Sequence, residues 1–479
     1  MKTPRLAVAL LALGGALLPL STASALTLSK AATLSLPSPN SGLNQGYLPF
    51  QSCSSVGNCA VTGIYLGAHS YATGVIDYEV KGVWQRPISV TPPNGYSALK
   101  GVTMEGLSCP SNGNCVALGQ YASATNQLPF TVTEVNGAWQ KGAAVALPVG
   151  AMTTGESATP RSIACVSVGN CTIVGTYSTN TIKFATEGFM KNQVHGVWQR
   201  AVSLSLPPGT NANPFVTLPQ VACWSPTSCV GVGSYVDANN VSHAIVVPEV
   251  NGVWKRATDV GLPGNASAFA GAQFNEVTCT ADGSCLAAGT YNTITGAVQP
   301  LVALSVAGVW NRAREVNLPN AAANPMALFY GFKGVACASV GNCSLGGQYL
   351  DQSGHYQGFL DNVVNGNLQR AQVLTLPSGA TQSGHNGGVV SISCPSVGNC
   401  VAGAAYLNTQ NQYVALLATQ RNHVWSTGST VSLPGSATTV GVAGGIYSVQ
   451  CFTVTTCQAS GSYQSGASRY DGFSLVTGA

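Results

Sequence analysis

Cleaving a glycosidic bond takes two carboxyls roughly 5 to 9.5 Å apart, and the chain has 15 acidic residues from which to draw them. Glu105 is the first to consider because it lies four residues before a recurring cysteine. The same position holds Pro49, Arg161, Pro219, Asn275, Lys333, Val390 and Tyr447 elsewhere in the chain, and Glu276 adjoins one of them. These positions vary while their surroundings repeat. Glu105, Arg161, Asn275, Glu276, Lys333 and Tyr447 are therefore the candidate ligand-binding residues, offering charges of both signs to a polar ligand. The plainer alternative, solvated or mutually paired residues at the mouth of a wide channel, stays open.

Hydrolysis meets an objection of spacing. Glu105 and Glu276 sit in the second and fifth copies of an eightfold repeat, too far round a ring to work as a pair. Glu156, Asp237 and Asp351 could serve as partners, but nothing around them marks them. The turns Asp237-Ala238-Asn239 and Asp351-Gln352-Ser353 have the oxygens for calcium without further acids nearby. Gly-x-Ser-x-Gly, His-Glu-x-x-His and phosphate-cradling loops are absent from the sequence. No catalytic residue, metal or cofactor is assigned, and the residues point to binding more than to catalysis.

The elements that hold these residues are set by the cysteines. All 16 fall in C-x5-C pairs: Cys53 and Cys59, Cys109 and Cys115, Cys165 and Cys171, Cys223 and Cys229, Cys279 and Cys285, Cys337 and Cys343, Cys394 and Cys400, Cys451 and Cys457. Successive pairs begin 56 to 58 residues apart. So regular a period means one supersecondary unit copied in tandem, each copy needing its neighbours to bury its apolar face. C-x5-C lacks zinc-knuckle spacing and has no histidines nearby to complete a tetrahedral site. Eight local disulfides, each closing a hairpin, are expected, with each adding on the order of 2 kcal/mol.

One copy shows the fold. Val102 to Cys109 and Cys115 to Tyr121 alternate as β-strands around a turn of Pro, Ser, Asn and Gly. Pro129 to Val135 is a third strand, Asn136-Gly137 a tight reversal, and Trp139 to Leu147 a fourth strand that stops at Pro148. Four antiparallel strands in about 57 residues make a propeller blade. A tyrosine six residues after each second cysteine, from Tyr65 to Tyr463, reads as an interblade packing residue with its hydroxyl satisfied. A tryptophan marks six fourth strands, five of them with a basic residue two positions on and some with an acid five before, as in Glu79, Trp84 and Arg86. A cross-strand ion pair is the expectation for those charges.

The ends of the chain close the ring. The eighth copy stops after its third strand, while Leu28 to Pro37 matches Trp198 to Pro207 position for position. The expected fold is all-β, an eight-bladed propeller of four antiparallel strands per blade, with the N-terminal strand completing the last blade. It spans residues 26–479 as a single domain.

Residues 1–25 read as a signal peptide: Lys2 and Arg5, an apolar run from Leu6 to Leu20, then Ala23-Ser24-Ala25. A secreted protein with disulfides and no membrane insertion after cleavage is expected, a retained N-terminal anchor being the alternative. Only 7% of residues are charged; without Lys2 and Arg5, 17 basic residues stand against 15 acids. A surface so nearly neutral argues against nucleic acid and anionic membranes as partners. A monomer is expected.

The Gly-x-Tyr strand and the turn Asn251-Gly252-Val253-Trp254 resemble the blade signature of secreted bacterial β-propeller repeat proteins. They are distantly similar to the Asp-box propellers typified by sialidases, whose turn reads Ser-x-Asp-x-Gly-x-Thr-Trp. The Asp of that box is missing here, and no sialidase constellation is carried over, because that resemblance implies a six-bladed ring with an arginine triad whereas this chain has eight repeats and few arginines.

Loop parity locates function. First and third turns share one face and are stereotyped; second turns and blade-to-blade links share the other and vary. The links and second turns of that face, among them the long links 38–51, 322–334 and 379–390 and the turns 67–74 and 351–357, carry Tyr47, His69, Tyr71, Tyr96, Phe215, Phe274, Phe329, Tyr330, His355, Tyr356, His385, Tyr413 and Tyr470. Aromatic planes among amides and hydroxyls suit sugar rings or peptides. The sequence thus points to a binding propeller for a glycan or an extracellular protein, with an extracellular glycoside hydrolase or lyase as the alternative.

Overall fold

The structure is a computed structural model that describes residues 27–37, 45–66, 71–97, 101–152, 155–156, 158–179, 185–269, 271–319, 332–381, 388–435, 444–466 and 469–478; for Gln45, Gly155, Glu156 and Lys333 it describes the backbone alone. The expected signal peptide, and His69, Phe329, Tyr330 and His385, lie outside these residues.

Alternating β-branched and small residues form eight antiparallel meanders, and no helix occurs among the described residues. In blade two, Val102–Ser111 pairs with Asn114–Ala122, which pairs with Asn126–Val135. All eight disulfides join cysteines six apart across the first turn, with Cα atoms 3.9 to 4.1 Å apart. First and third turns dock on each other, as where Gly137 N donates to Gly113 O at 2.8 Å and Gly196 N to Gly169 O at 2.9 Å. Links and second turns bridge on the opposite face, for example Thr210 with Asp237 and Ala380 with Asn408.

The outer strand is not continuous. Ala138–Trp139 and Ala143–Ala144 pair separately with the third strand, and the chain leaves the ladder between them. The break gives an N–H to the preceding blade: Gly142 N donates to Thr91 O, and Ala257 N to Ser205 O, both at 2.8 Å. Inner strands are joined the same way, because their exposed edges must satisfy their amides. Ser52 Oγ accepts from Cys109 N at 2.9 Å, Ser108 Oγ from Cys165 N at 3.0 Å and Ser393 Oγ from Cys451 N at 2.9 Å.

The ring closes as the sequence implies. Thr27 and Leu28 pair with Gly478 and Thr477, and Ala32, Thr33 and Leu34 with Ser474, Phe473 and Gly472. Ala31 is buried in the core shared with blade seven, while fully buried Leu34 packs into the core of blade one. Across the seam, Gln450 Oε1 accepts from Cys53 N at 2.8 Å and Gln450 Nε2 donates to Cys53 O at 2.7 Å.

Six repeat tyrosines tie the second strand to the outer one. The hydroxyls of Tyr65, Tyr177, Tyr235, Tyr291, Tyr406 and Tyr463 bond Ser89, Ser203, Asp259, Glu315, Thr430 and Thr33, each five residues after the tryptophan position. Blades two and six carry Ala144 and Val373 there, which have no hydroxyl or carboxylate to offer. The Tyr349 hydroxyl is consequently buried without a partner, and burial pushes its pKa up to about 12. Val373→Thr should supply the missing partner and stabilise the fold by about 1 kcal/mol, read as a raised urea midpoint; an unchanged or lowered midpoint would reject this account.

The expected cross-strand ion pairs do not form. Glu79, Glu134 and Glu249 are 6%, 4% and 0% exposed, whereas Arg86, Lys141 and Arg256 are exposed. Each glutamate lies opposite a tryptophan at the blade-to-blade gap, and the break in the outer strand carries the basic residue off the ladder. The buried carboxyls bond across the gap instead: Gln458 Nε2 donates to Glu79 Oε2 at 2.5 Å, and Asn192 Nδ2 donates to Glu249 Oε1.

Candidate ligand-binding site

The variable inner-strand positions are β-bulges. In blade two Met104 faces Gly119 and Gly106 faces Leu118, leaving Glu105 unopposed; Arg161, Asn275, Lys333, Val390 and Tyr447 occupy the same break in their blades. An extra residue kinks the strand and re-aims its side chain. The bulged backbone passes over the glycine of the Gly-x-Tyr strand: a Cβ on Gly63, Gly233 or Gly289 would lie 1.9 Å from a carbonyl oxygen of the inner strand. That contact is why the motif begins with glycine.

The bulges bring part of the candidate set together. Glu105, Arg161, Asn275 and Glu276 line one cavity of about 430 Å³ with Phe50, Pro219 and Phe332, residues contributed by six blades, so the space is the central channel. Glu105 is half-buried, and burial raises its carboxyl pKa against the opposing influence of the Arg161 charge. Asn275 Oδ1 is buried without a hydrogen-bond partner. Lys333 shares the bulge position, and its side chain lies outside the described set.

Tyr447 belongs to a different place. It lines a groove of about 400 Å³ on the loop face, where blades seven, eight and one meet, together with Tyr47, Tyr413, Tyr463, Tyr470 and the glycines Gly46, Gly444 and Gly445. Tyr47 is 49% exposed and meets Tyr447 edge to face with ring centroids 5.1 Å apart. The Tyr447 hydroxyl is fixed by Ser462 Oγ at 2.8 Å. Burial raises the pKa of both phenols, so they stay neutral hydrogen-bond partners. Among the described residues no carboxylate, histidine, lysine or arginine lines the groove; ring faces, ring edges and backbone are what they present. The glycines serve packing: a Cβ on Gly46 would lie 3.2 Å from Leu36 and the Tyr470 carbonyl, and one on Gly444 2.6 Å from the Ser462 carbonyl.

Other loop aromatics scatter. Phe274 is a correction: it is 0% exposed in the core of blades four and five, because it is the last in-register residue before a bulge and faces inward. Phe215 is exposed, and Tyr96 packs on the blade-two core. Asp237 and Asp351 act as turn acceptors, taking backbone N–H groups from Asn239 and Val241 and from Ser353 and His355 at 2.9 Å. Among the described residues no group of acids, histidines and cysteines is arranged to hold a metal ion. His243, not singled out in the sequence, stacks on Tyr235 and lies 3.2 Å from Asp237 Oδ2 and 3.5 Å from Asp259 Oδ2.

No protein-family model matches the chain, and no curated sequence matches it. Among solved structures, it is similar to Chaetomium thermophilum Sqt1 bound to the N-terminus of ribosomal protein L10, at 13% identity and TM-score 0.47 over 90% of this chain and 97% of that one. An ulvan lyase of polysaccharide lyase family 25 gives 9% and 0.41 over 78% and 92%, and a Hadza microbial sialidase 9% and 0.36 over 75% and 73%. None of these likenesses bears on what the chain binds or catalyses.

Proposed function

We propose that the protein is a secreted recognition propeller whose principal ligand is a neutral glycan, bound in the tyrosine groove at the junction of blades seven, eight and one. One observation carries the reading: partly exposed tyrosines converge on one groove, and the described residues that line it include no carboxylate, histidine, lysine or arginine. Tyrosine rings stack on the C–H faces of sugars at small entropic cost, and their hydroxyls add directional hydrogen bonds. Export is supported by the pairing of every cysteine, and no helix among the described residues is long and apolar enough to cross a membrane. On a glycan array the mature protein should retain an uncharged oligosaccharide, and Tyr447→Ala or Tyr47→Ala should weaken that binding at least tenfold while leaving the fold intact. Retention of peptides only would move the reading to a protein partner.

Hydrolysis at the channel keeps one supporting observation, a half-buried Glu105 with a raised pKa in the same cavity as Glu276. Their placement in blades two and five weighs against it, since neither supplies the other's partner across the channel. Turnover of a chromogenic glycoside, abolished in Glu105→Gln, would restore the enzyme reading.

A further inference from the structure

With the blade-gap carboxyls buried, Arg86, Lys141 and Arg256 do not meet the glutamates their spacing suggests. Lys30, Arg86, Lys141, Arg200, Arg256, Arg312 and Arg370 occupy one position, two after the tryptophan or its leucine replacement, in seven of eight blades, and all are exposed at the break in the outer strand. Lys141 and Arg312 bond only neutral oxygens, Asn94 Oδ1 at 2.6 Å and Leu262 O at 2.5 Å. A nearly neutral protein thus concentrates its positive charge in a belt around the rim.

We propose that this rim binds an acidic polysaccharide, seated first in the groove between blades three and four. That groove, about 580 Å³, is lined by Arg200, Lys255, Trp254, Gln199, Ser203 and Ser205 among others, with no acid in its wall. Asn192 Oδ1 accepts from Trp254 Nε1 at 3.2 Å and fixes the indole plane. A uronate or sulfate group takes the fork of Arg200 and the ammonium of Lys255, while the sugar face lies on the indole and its hydroxyls meet serine and amide groups. The next groove, with Trp310 and Arg312, also carries Asp259 and so holds an anion less well. A flexible chain can follow cations spaced one per blade around a convex rim. A flat membrane meets few of them at once, and duplex DNA, stiff over about 150 base pairs, cannot wrap them without a large bending cost.

The site is independent of the tyrosine groove, and the test separates them. In affinity electrophoresis at low ionic strength, polygalacturonate or chondroitin sulfate should retard the protein and neutral dextran should not, with retardation falling at least tenfold as salt is raised. The exposed double variant Arg200→Gln/Lys255→Gln should weaken polyanion binding at least tenfold with an unchanged thermal melt, while Tyr447→Ala leaves it unaltered. The proposal is overturned if neither polyanion retards the protein, if the double variant binds as before, or if phosphatidylserine vesicles or a single-stranded oligonucleotide bind at least as tightly.

Discussion

The melting temperature should be highest near pH 4 and roughly 5 to 10 °C lower at pH 8, for a domain of this size and a loss of several kcal/mol. Three carboxyls inside the blades drive the change. Asp77 and Asp361 are each 1% exposed and Glu249 is 0% exposed, and burial pushes the pKa of each up to about 7. Neither oxygen of Asp77 makes a well-formed hydrogen bond; Asp361 Oδ2 and Glu249 Oε2 are likewise unpartnered. Unfolded, these groups titrate near 4. The folded chain therefore holds protons that the unfolded chain has released, so their contribution is complete below about pH 4 and is lost as pH rises through about 7. Three pKa units correspond to about 4 kcal/mol per group as an upper bound. Asp77→Asn and Asp361→Asn keep the shape and remove the charge; they should raise the pH 8 melting temperature and flatten the profile. A melting temperature that climbs from pH 4 to pH 8 would refute this account.

Removal of residues 27–36 should cost more than about 5 kcal/mol, a large part of a typical domain's net stability, and produce an aggregating protein. The lost strand supplies a ladder to 472–478, the fully buried Leu34, and the hydroxyl of Thr33 that bonds Tyr463 at 3.0 Å. Without it the third strand of blade eight is an exposed edge, a template for pairing with other chains. A synthetic peptide of residues 27–37 added in trans should restore a monomer on gel filtration. A truncated protein that stays monomeric with its melting temperature intact would show the strand to be dispensable.

Much of this fold is legible in the chain because its information is local. Cysteine spacing fixes the hairpins, Asn-Gly pairs such as Asn136-Gly137 fix the third turns with left-handed φ angles of 50° and 84°, and the match of Leu28–Pro37 to an outer strand fixes the closure. Even the orphan hydroxyl of Tyr349 follows from Val373 once the tyrosine's partner position is known. The bulges were not legible, since an extra residue is defined only by register against a partner. Glu105 and its equivalents nevertheless showed as variable within a repeat, the trace that re-aimed side chains leave. The failed ion pairs have the same origin: Glu79 and Arg86 suit a continuous ladder, and the outer strand is broken between them. Tyr47, Tyr413, Tyr447 and Tyr470 were visible singly, but they converge only because three blades meet at the seam.

The six-residue span of every disulfide bears on how such a molecule is made and how it diversifies. Each sulfur meets its mate inside a single hairpin, so oxidation asks nothing of the rest of the chain and can be finished hairpin by hairpin as the polypeptide emerges. A duplicated or deleted unit brings or removes its own staple and leaves no cysteine stranded, so the gene is free to gain or lose whole blades without rewriting the bonds of those that remain.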